Sequence, residues 1–230
     1  MKVFTQWTVL EHRPIEKVAS NLWRVSGLMG NVQRQMTLAR MRDGRVVVNN
    51  AIALDAPSMA EIEAWGEPSV LVVPNGFHRQ DAAIWKQRYP KLTVIAPPKG
   101  KKRIEKIVAV DALADEAPGD DTVRLSTMDG HKSDVLMTVT SDDGVTHIFC
   151  DQILNLKKKG GPVGFFLGPT GRVSAPRVTR WIAIKDKPAF RGHVDRLAAT
   201  PDLKRLLFGH GSGVHENAAA ELRGVVEQLR

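Results

Sequence analysis

Cysteine is almost missing from this chain. The one copy, Cys150, excludes an internal disulfide and a four-cysteine zinc site, and it suits a reducing compartment. Long apolar runs are missing too, since none approaches the roughly 18 residues that a membrane span needs. The opening segment MKVFTQWTVLEHRPI has neither the apolar core nor the small-residue cleavage site of a signal peptide. A soluble, cytoplasmic protein with no membrane partner is therefore expected. Three reaction signatures are also lacking. Gly160-Gly161-Pro162-Val163-Gly164 has neither the strand–turn–helix setting nor the Lys-Ser/Thr ending of a phosphate loop. No G-x-S-x-G nucleophile elbow occurs. Cys150 is followed by Asp151, whose charge disfavours a thiolate, so it is not read as a nucleophile.

What the chain does contain suits a globular fold. Hydrophobic residues make up 43% of its 230 residues, enough for a sizeable core, and one domain over 1–230 is expected. The formal net charge is +8, with basic clusters at Lys99–Lys106 (KGKKRIEK) and Lys157–Lys159. Neither cluster is interleaved with aromatics, which argues against a single-strand stacking platform. A solvated basic surface is the favoured reading, and a nucleic-acid partner is the less favoured alternative.

The hydrophobic pattern changes along the chain. Residues 21–26, 35–41 and 45–49 read as short strands, the last two joined by the Asp43-Gly44 hairpin turn. Residues 58–65 have helical spacing, with Ser58 as N-cap. SVLVV at 69–73 and LTVIA at 92–96 are continuous apolar runs, as in buried parallel strands, and a helix over 79–88 lies between them. Strands follow at 122–126, 135–140 and 146–150, with Asp-Gly turns at 129–130 and 143–144. Residues 155–180 form a Gly-, Pro- and Lys-rich excursion, and excursions of this length are often functional or mobile. A helix at 187–200, a strand at 205–208 and an amphipathic helix at 217–229, with Asn217 or Glu216 at its start, complete the pattern. Such an order fits an α+β fold of two packed sheets with helices outside. Asp-Gly hairpins are too frequent for a doubly wound sheet.

Seven histidines are candidate ligands, and four of them lie near turns after apolar strands. Four landmarks occur in order: SVLVVPNGFHRQDAAIW, Asp129-Gly130-His131, HIFCDQ with Asp151, and LLFGHGSG with His210. In this order the chain resembles the metallo-β-lactamase-fold superfamily over about residues 20–228, as a divergent subfamily with an altered first motif. The resemblance implies an αββα sandwich and a metal-dependent hydrolase. It makes Asp151 the bridging carboxylate, with His131 completing one metal site and His210 the other. Zinc, manganese or iron would suit such ligands, lowering the pKa of a bound water and polarising the substrate.

The first motif departs from the family's His-x-His-x-Asp-His. In one register the chain offers Asn75, Phe77, Arg79 and Gln80; slipped by one it offers Gly76, His78, Gln80 and Asp81. Phe has no donor atom, and Arg repels a cation. The expected set is thus His131, Asp151 and His210 with His78, and with Asp81 and Asn75 as extras, holding one metal ion or none. Plainer readings stand beside it. His131 and His210 can be turn residues, His78 a helix-start hydrogen-bonding residue, and Asp151 a strand-end cap. His12, His147 and His193 read as surface residues, and Trp23, Trp65, Trp85 and Trp181 as core or rim. A non-catalytic protein that binds a small-molecule ligand on the same fold is the leading alternative. Neither a substrate nor an oligomeric state is legible.

Overall fold

The computed structural model describes residues 3–30, 32–117 and 119–229. The chain opens with β1 (Glu16–Ala19), β2 (Leu22–Met29), β3 (Val32–Arg40) and β4 (Arg45–Asn49), each antiparallel to the next. The expected Asp43-Gly44 turn closes the β3–β4 hairpin, where the Asp43 carboxylate accepts the Arg45 N–H at 3.1 Å. From here the strands become parallel, which requires crossovers, and helices supply them. α1 (Ala56–Trp65) leads to β5 (Glu67–Val72), α2 (Ala82–Arg88) to β6 (Thr93–Ala96), and α3 (Lys101–Ile104) to β7 (Ala112–Leu113). The first sheet therefore has the sequential order β1 to β7.

A second sheet begins with the meander β8 (Val123–Met128), β9 (His131–Ser141) and β10 (Gly144–Phe149). The chain then leaves this sheet through β11 (Leu154–Asn155), α4 (Gly161–Leu167), β12 (Val173–Ser174), α5 (Arg177–Ile182) and α6 (Lys187–Ala198). It returns as β13 (Leu203–Phe208), parallel to β10, and ends in α7 (Ala218–Gln228). The sheet order is β13-β10-β9-β8.

Strand alternation sorts the apolar residues into three layers. Val47, Val72 and Ile95 from the first sheet meet Val135, Met137 and Leu207 from the second, between the sheets. Val46, Val48 and Leu71 point outward and are covered by Met59 and Ile62 of α1 and Trp85 of α2. Phe149, Leu206 and Phe208 point outward from the second sheet and are covered by Phe190 and Val194 of α6 and Leu222 and Val225 of α7. This is the αββα sandwich expected from the element order. Among the described residues, no helix is long and apolar enough to cross a membrane.

Several local expectations change. Helix α1 is capped by Asp55, whose carboxylate accepts the Ser58 N–H at 2.9 Å, so Ser58 lies inside the first turn. Asn217 precedes α7 in the left-handed region, at φ 55°, and makes no side-chain cap. Residues 155–180 are ordered by the β11–β12 ribbon and two helices rather than forming one open loop. Trp181 is exposed, unlike the other three tryptophans expected in core or rim. The three histidines read as surface residues all have partners. His12 accepts the Asp55 N–H at 3.3 Å, and His193 pairs with Asp129 at 3.1 Å. His147 is buried between the hydroxyls of Thr138 and Thr200, each 3.0 Å away.

Burial pushes the His147 ring down to about 4 from an ordinary value of 6.5. The unfolded chain takes up a proton below pH 6.5 that the folded chain refuses until near pH 4. Stability is therefore full above pH 6.5 and falls as the pH drops toward 4, by at most about 1.4 kcal/mol per pH unit for this group. Urea denaturation of His147→Gln should show a shallower loss than the parent over that window. The variant keeps part of the slope, because burial also depresses His131 to about 4. Equal slopes in the two proteins would contradict the assignment.

Candidate metal centre

The ends of β4, β5, β10 and β13 lie along one edge of the sandwich, where the two sheets touch through the backbone. The Val135 N–H donates to the Pro74 carbonyl at 2.8 Å, and the Gln35 N–H donates to the Gly209 carbonyl at 3.0 Å. Both bonds run from one sheet to the loop that follows a strand of the other. They bring Asn50, the 73–81 loop, Asp151 and His210 together.

Glycine makes the last of these approaches possible. Gly211 has φ +88°, and a Cβ there would lie 2.1 Å from the Asn155 carbonyl oxygen. Gly130 has φ +70°, and its Cβ would lie 2.1 Å from the Asp186 carbonyl oxygen at the start of α6. Gly130 before His131 and Gly211 after His210 are thus demanded by backbone approach, whatever the histidines do.

His78, Asp151 and His210 each offer a ligand atom, and these atoms all lie within 4.8 Å of one another. His78 Nε2 is 3.2 Å from His210 Nε2 and 3.2 Å from Asp151 Oδ2; His210 Nε2 is 3.6 Å from Asp151 Oδ1. The remaining ring nitrogens are committed elsewhere. His210 Nδ1 donates to the Gln33 carbonyl at 2.6 Å, and His78 Nδ1 donates to Asn50 Oδ1 at 2.9 Å. The Asn50 assignment is fixed from its other end, since Nδ2 donates to the Gln35 carbonyl at 2.8 Å. Both Nε2 atoms therefore aim at one point, with Asp151 across from them.

Two neutral imidazoles cannot face each other in this way without something between them, because both lone pairs point inward. A shared proton or a cation resolves the repulsion. A tetrahedral ion with bonds of about 2.0–2.1 Å has ligand–ligand edges of roughly 3.3–3.4 Å, close to the separations here. Asp151 keeps a third of its side-chain exposure, so the point between the donors is open to solvent on one side. The residues present fit a single divalent ion.

The charges around this point divide unevenly. Burial works against Asp151, but His78, His210 and the Asn75 amide hold its carboxyl well below the usual carboxylate range. Burial lowers His78, and the Asp151 charge more than offsets it, so the ring is raised overall. His210 remains depressed by burial, with the Asp151 charge acting in the opposite direction. Asp134 is pushed up to about 8, first by burial and then by the Asp151 charge. The two carboxyls are thus pushed in opposite directions, Asp151 toward the charged form and Asp134 toward the protonated one.

The remaining expected ligands do not join the group. His131 opens β9 with its ring buried against Phe190; its Nε2 lies 3.9 Å from Asp134 Oδ2, and its buried Nδ1 has no hydrogen-bond partner among the described residues. Asn75 shapes the site without facing it as a donor of lone pairs. Its Oδ1 accepts the N–H groups of Phe77 and His78 at 2.8 and 3.0 Å, and its Nδ2 donates to Asp151 Oδ2 at 2.9 Å. Asp81 is paired with Arg34 at 2.7 Å and accepts the Ala53 N–H at 3.1 Å, so both of its oxygens are used. Phe77 and Arg79 turn outward. The Arg103 guanidinium covers the Phe77 ring at 4.0 Å, and Arg79 donates to the Arg103 carbonyl. Cys150 is buried, and burial pushes its thiol well up, in keeping with an inert side chain.

Asn50 and Asp134 escaped the sequence reading. Asn50 carries a faint signal, an Asn pair at the end of an apolar strand, and it adopts a left-handed φ of 57°. Asp134 carries none, because its role depends on which strand end faces it.

No family model and no curated protein sequence matches the chain. Solved structures do. The metallo-β-lactamase DIM-1, in a crystal exposed to ceftazidime, is similar with a TM-score of 0.65 and 13% identity, covering 97% of this chain and 100% of its own. A metallo-β-lactamase from Erythrobacter litoralis, with β-mercaptoethanol in its active site, has a TM-score of 0.60 and 14% identity, covering 93% and 96%. The chain has the metallo-β-lactamase fold, at an identity that carries the architecture and not the chemistry.

The Arg34–Asp81 pair gives a direct test of what holds the 73–81 loop. Arg34→Met should cost about 3–5 kcal/mol in urea denaturation, because it leaves a buried carboxylate uncompensated. The double variant Arg34→Met/Asp81→Leu should recover much of that loss. A double variant no better than the single one would refute the pairing.

Proposed function

We propose that this chain is a divergent metallo-β-lactamase-like protein that holds one divalent ion between His78, Asp151 and His210 and hydrolyses a small-molecule substrate there. The donor geometry supports this reading: two Nε2 atoms 3.2 Å apart, each with its other nitrogen bonded to an oxygen, and a charged carboxylate facing both. His78, expected as a helper, takes the part that the family resemblance implied for His131. Imidazole and carboxylate donors suit zinc first, with manganese or iron as alternatives. A single ion is favoured over a pair because Phe77 and Arg79, at first-motif positions, face away from the site.

When bound, such an ion would bring the pKa of a coordinated water to about 7 and polarise a carbonyl or phosphoryl oxygen. The chain's own residues do the positioning. Asn50 and the Gln33 carbonyl fix the ring orientations and leave both Nε2 lone pairs inward. Asn75 orients the Asp151 carboxylate. The exposed side of Asp151 leaves a place for solvent and substrate. A reducing cytoplasm fits a chain whose one cysteine is buried.

Elemental analysis of protein purified without chelator, with zinc titration by calorimetry, tests the reading. About one equivalent is expected. His78→Ala, Asp151→Ala and His210→Ala should each abolish stoichiometric uptake, and His131→Gln should retain it. Asn50→Ala should weaken zinc binding by about 10- to 100-fold through loss of ring orientation. A parent protein that carries no metal and takes none up would end the hydrolase reading and leave a metal-free ligand-binding protein on this fold.

A further inference from the structure

The segment between β10 and α6 carries the largest cluster of exposed apolar side chains in the described chain. Val163, Phe165 and Phe166 of α4 and Trp181 and Ile182 of α5 are each 50–65% exposed. Helix α4 buries none of its residues. The rings of Phe165, Phe166 and Trp181 pack on one another, with centroids 5.4–6.4 Å apart, instead of turning into the core. An exposed apolar cluster of this kind, rimmed by polar residues, marks a contact surface.

The charge carried by this segment is of one sign. From Gln152 to Lys185 the sequence holds seven Lys and Arg and no Asp or Glu. Lys157, Lys158 and Lys159 are exposed just before α4. Arg177 stacks on Phe165 at 5.1 Å and donates to its carbonyl at 2.9 Å, tying α4 to α5. The Lys159 N–H donates to Thr170 Oγ1 at 3.0 Å, which fixes the lysine run against the same unit. The apolar tips and the cationic rim therefore belong to one ordered surface.

We infer that this α4–α5 surface docks on an anionic phospholipid membrane, with the aromatic and aliphatic tips at the acyl boundary and the basic residues on the headgroups. Charge complementarity selects this occupant. A second copy of the chain would place two cationic rims against each other. A nucleic acid would need open aromatic faces for its bases, whereas these rings meet at 82°, 52° and 88° and Arg177 covers one of them. Val163 and Ile182 add exposed aliphatic side chains beside the rings. An apolar face ringed by Lys and Arg is what an interfacial segment requires. With no spanning helix among the described residues, the contact is peripheral. Thr179 of α5 donates to the Asp151 carbonyl at 3.1 Å, so the docking surface adjoins the candidate metal centre without depending on it.

Flotation with vesicles of phosphatidylcholine containing phosphatidylglycerol, against vesicles of phosphatidylcholine alone, tests the inference on the whole chain. The parent should float with the anionic vesicles at low salt and release as salt rises. Replacing Lys157, Lys158 and Lys159 by Ala should lower partitioning by about a hundredfold, near fivefold per lysine. Phe165→Ser/Phe166→Ser/Trp181→Ser should lower it by about tenfold or more. All six side chains are exposed, and circular dichroism should show both variants folded. Trp181 emission should shift to the blue on binding, a shift lost in Trp181→Phe. The inference fails if the parent does not float with anionic vesicles, or if the aromatic variant floats as well as the parent. It also fails if single-stranded RNA binds through these residues while vesicles do not.

Discussion

Two backbone hydrogen bonds, Val135 to Pro74 and Gln35 to Gly209, hold the ends of the two sheets against each other. The candidate metal centre is assembled across that contact. His78 comes from the loop after β5 in the first sheet, while Asp151 and His210 follow β10 and β13 in the second. Each of these bonds contributes about 1 kcal/mol net, but each also satisfies a buried group that would be costly to leave unpaired. The parallel pairings β4–β5 and β10–β13 serve the same end, because parallel neighbours deliver their following loops to one edge. Position at that edge, more than residue identity, decides which polar side chains can act together.

Electrostatics then sorts the residues at the edge into separate tasks. Asp151 carries the negative charge that a cation would meet, with His78, His210 and Asn75 around it. Asp134, deeper and beside it, is driven toward the neutral acid by burial and by that same charge. Asp81 is a carboxylate of the same loop as His78, yet Arg34 and the Ala53 N–H use its oxygens. The three aspartates thus differ in role: Asp151 is the candidate donor, Asp134 is pushed toward protonation, and Asp81 anchors the loop. A cation at the centre would meet one charged carboxylate and two neutral rings, a modest donor set open on one side.

The excursion between β10 and α6 has a different logic. Its β11–β12 ribbon and the Thr179 bond to Asp151 fasten it beside the centre, while α4 contributes nothing to the core. Apolar side chains that could have strengthened packing are instead held outward on a cationic rim. Because five such side chains are exposed together, that arrangement calls for a surface outside the molecule.

The layered architecture is written in the order and periodicity of the residues. Continuous apolar runs at 69–73 and 92–96, Asp-Gly hairpins, a helical segment at 187–200 and the amphipathic helix at 217–229 specify packed sheets with outer helices, because burial on one face or two leaves a periodic trace. The sequence also showed Asp151 and His210 at strand ends, and an altered first motif in which His78 remained as a candidate ligand. Tertiary structure alone decided which residues converge. His78 points inward because Asn75 accepts its backbone N–H and Asn50 holds its Nδ1. His131 stands apart, and Asp81 and Asn75 serve as supports. Those outcomes depend on side-chain direction across a contact between two sheets, between residues up to 177 positions apart. Local periodicity records which face of a strand is buried. It does not record what lies across the gap when two strand ends meet.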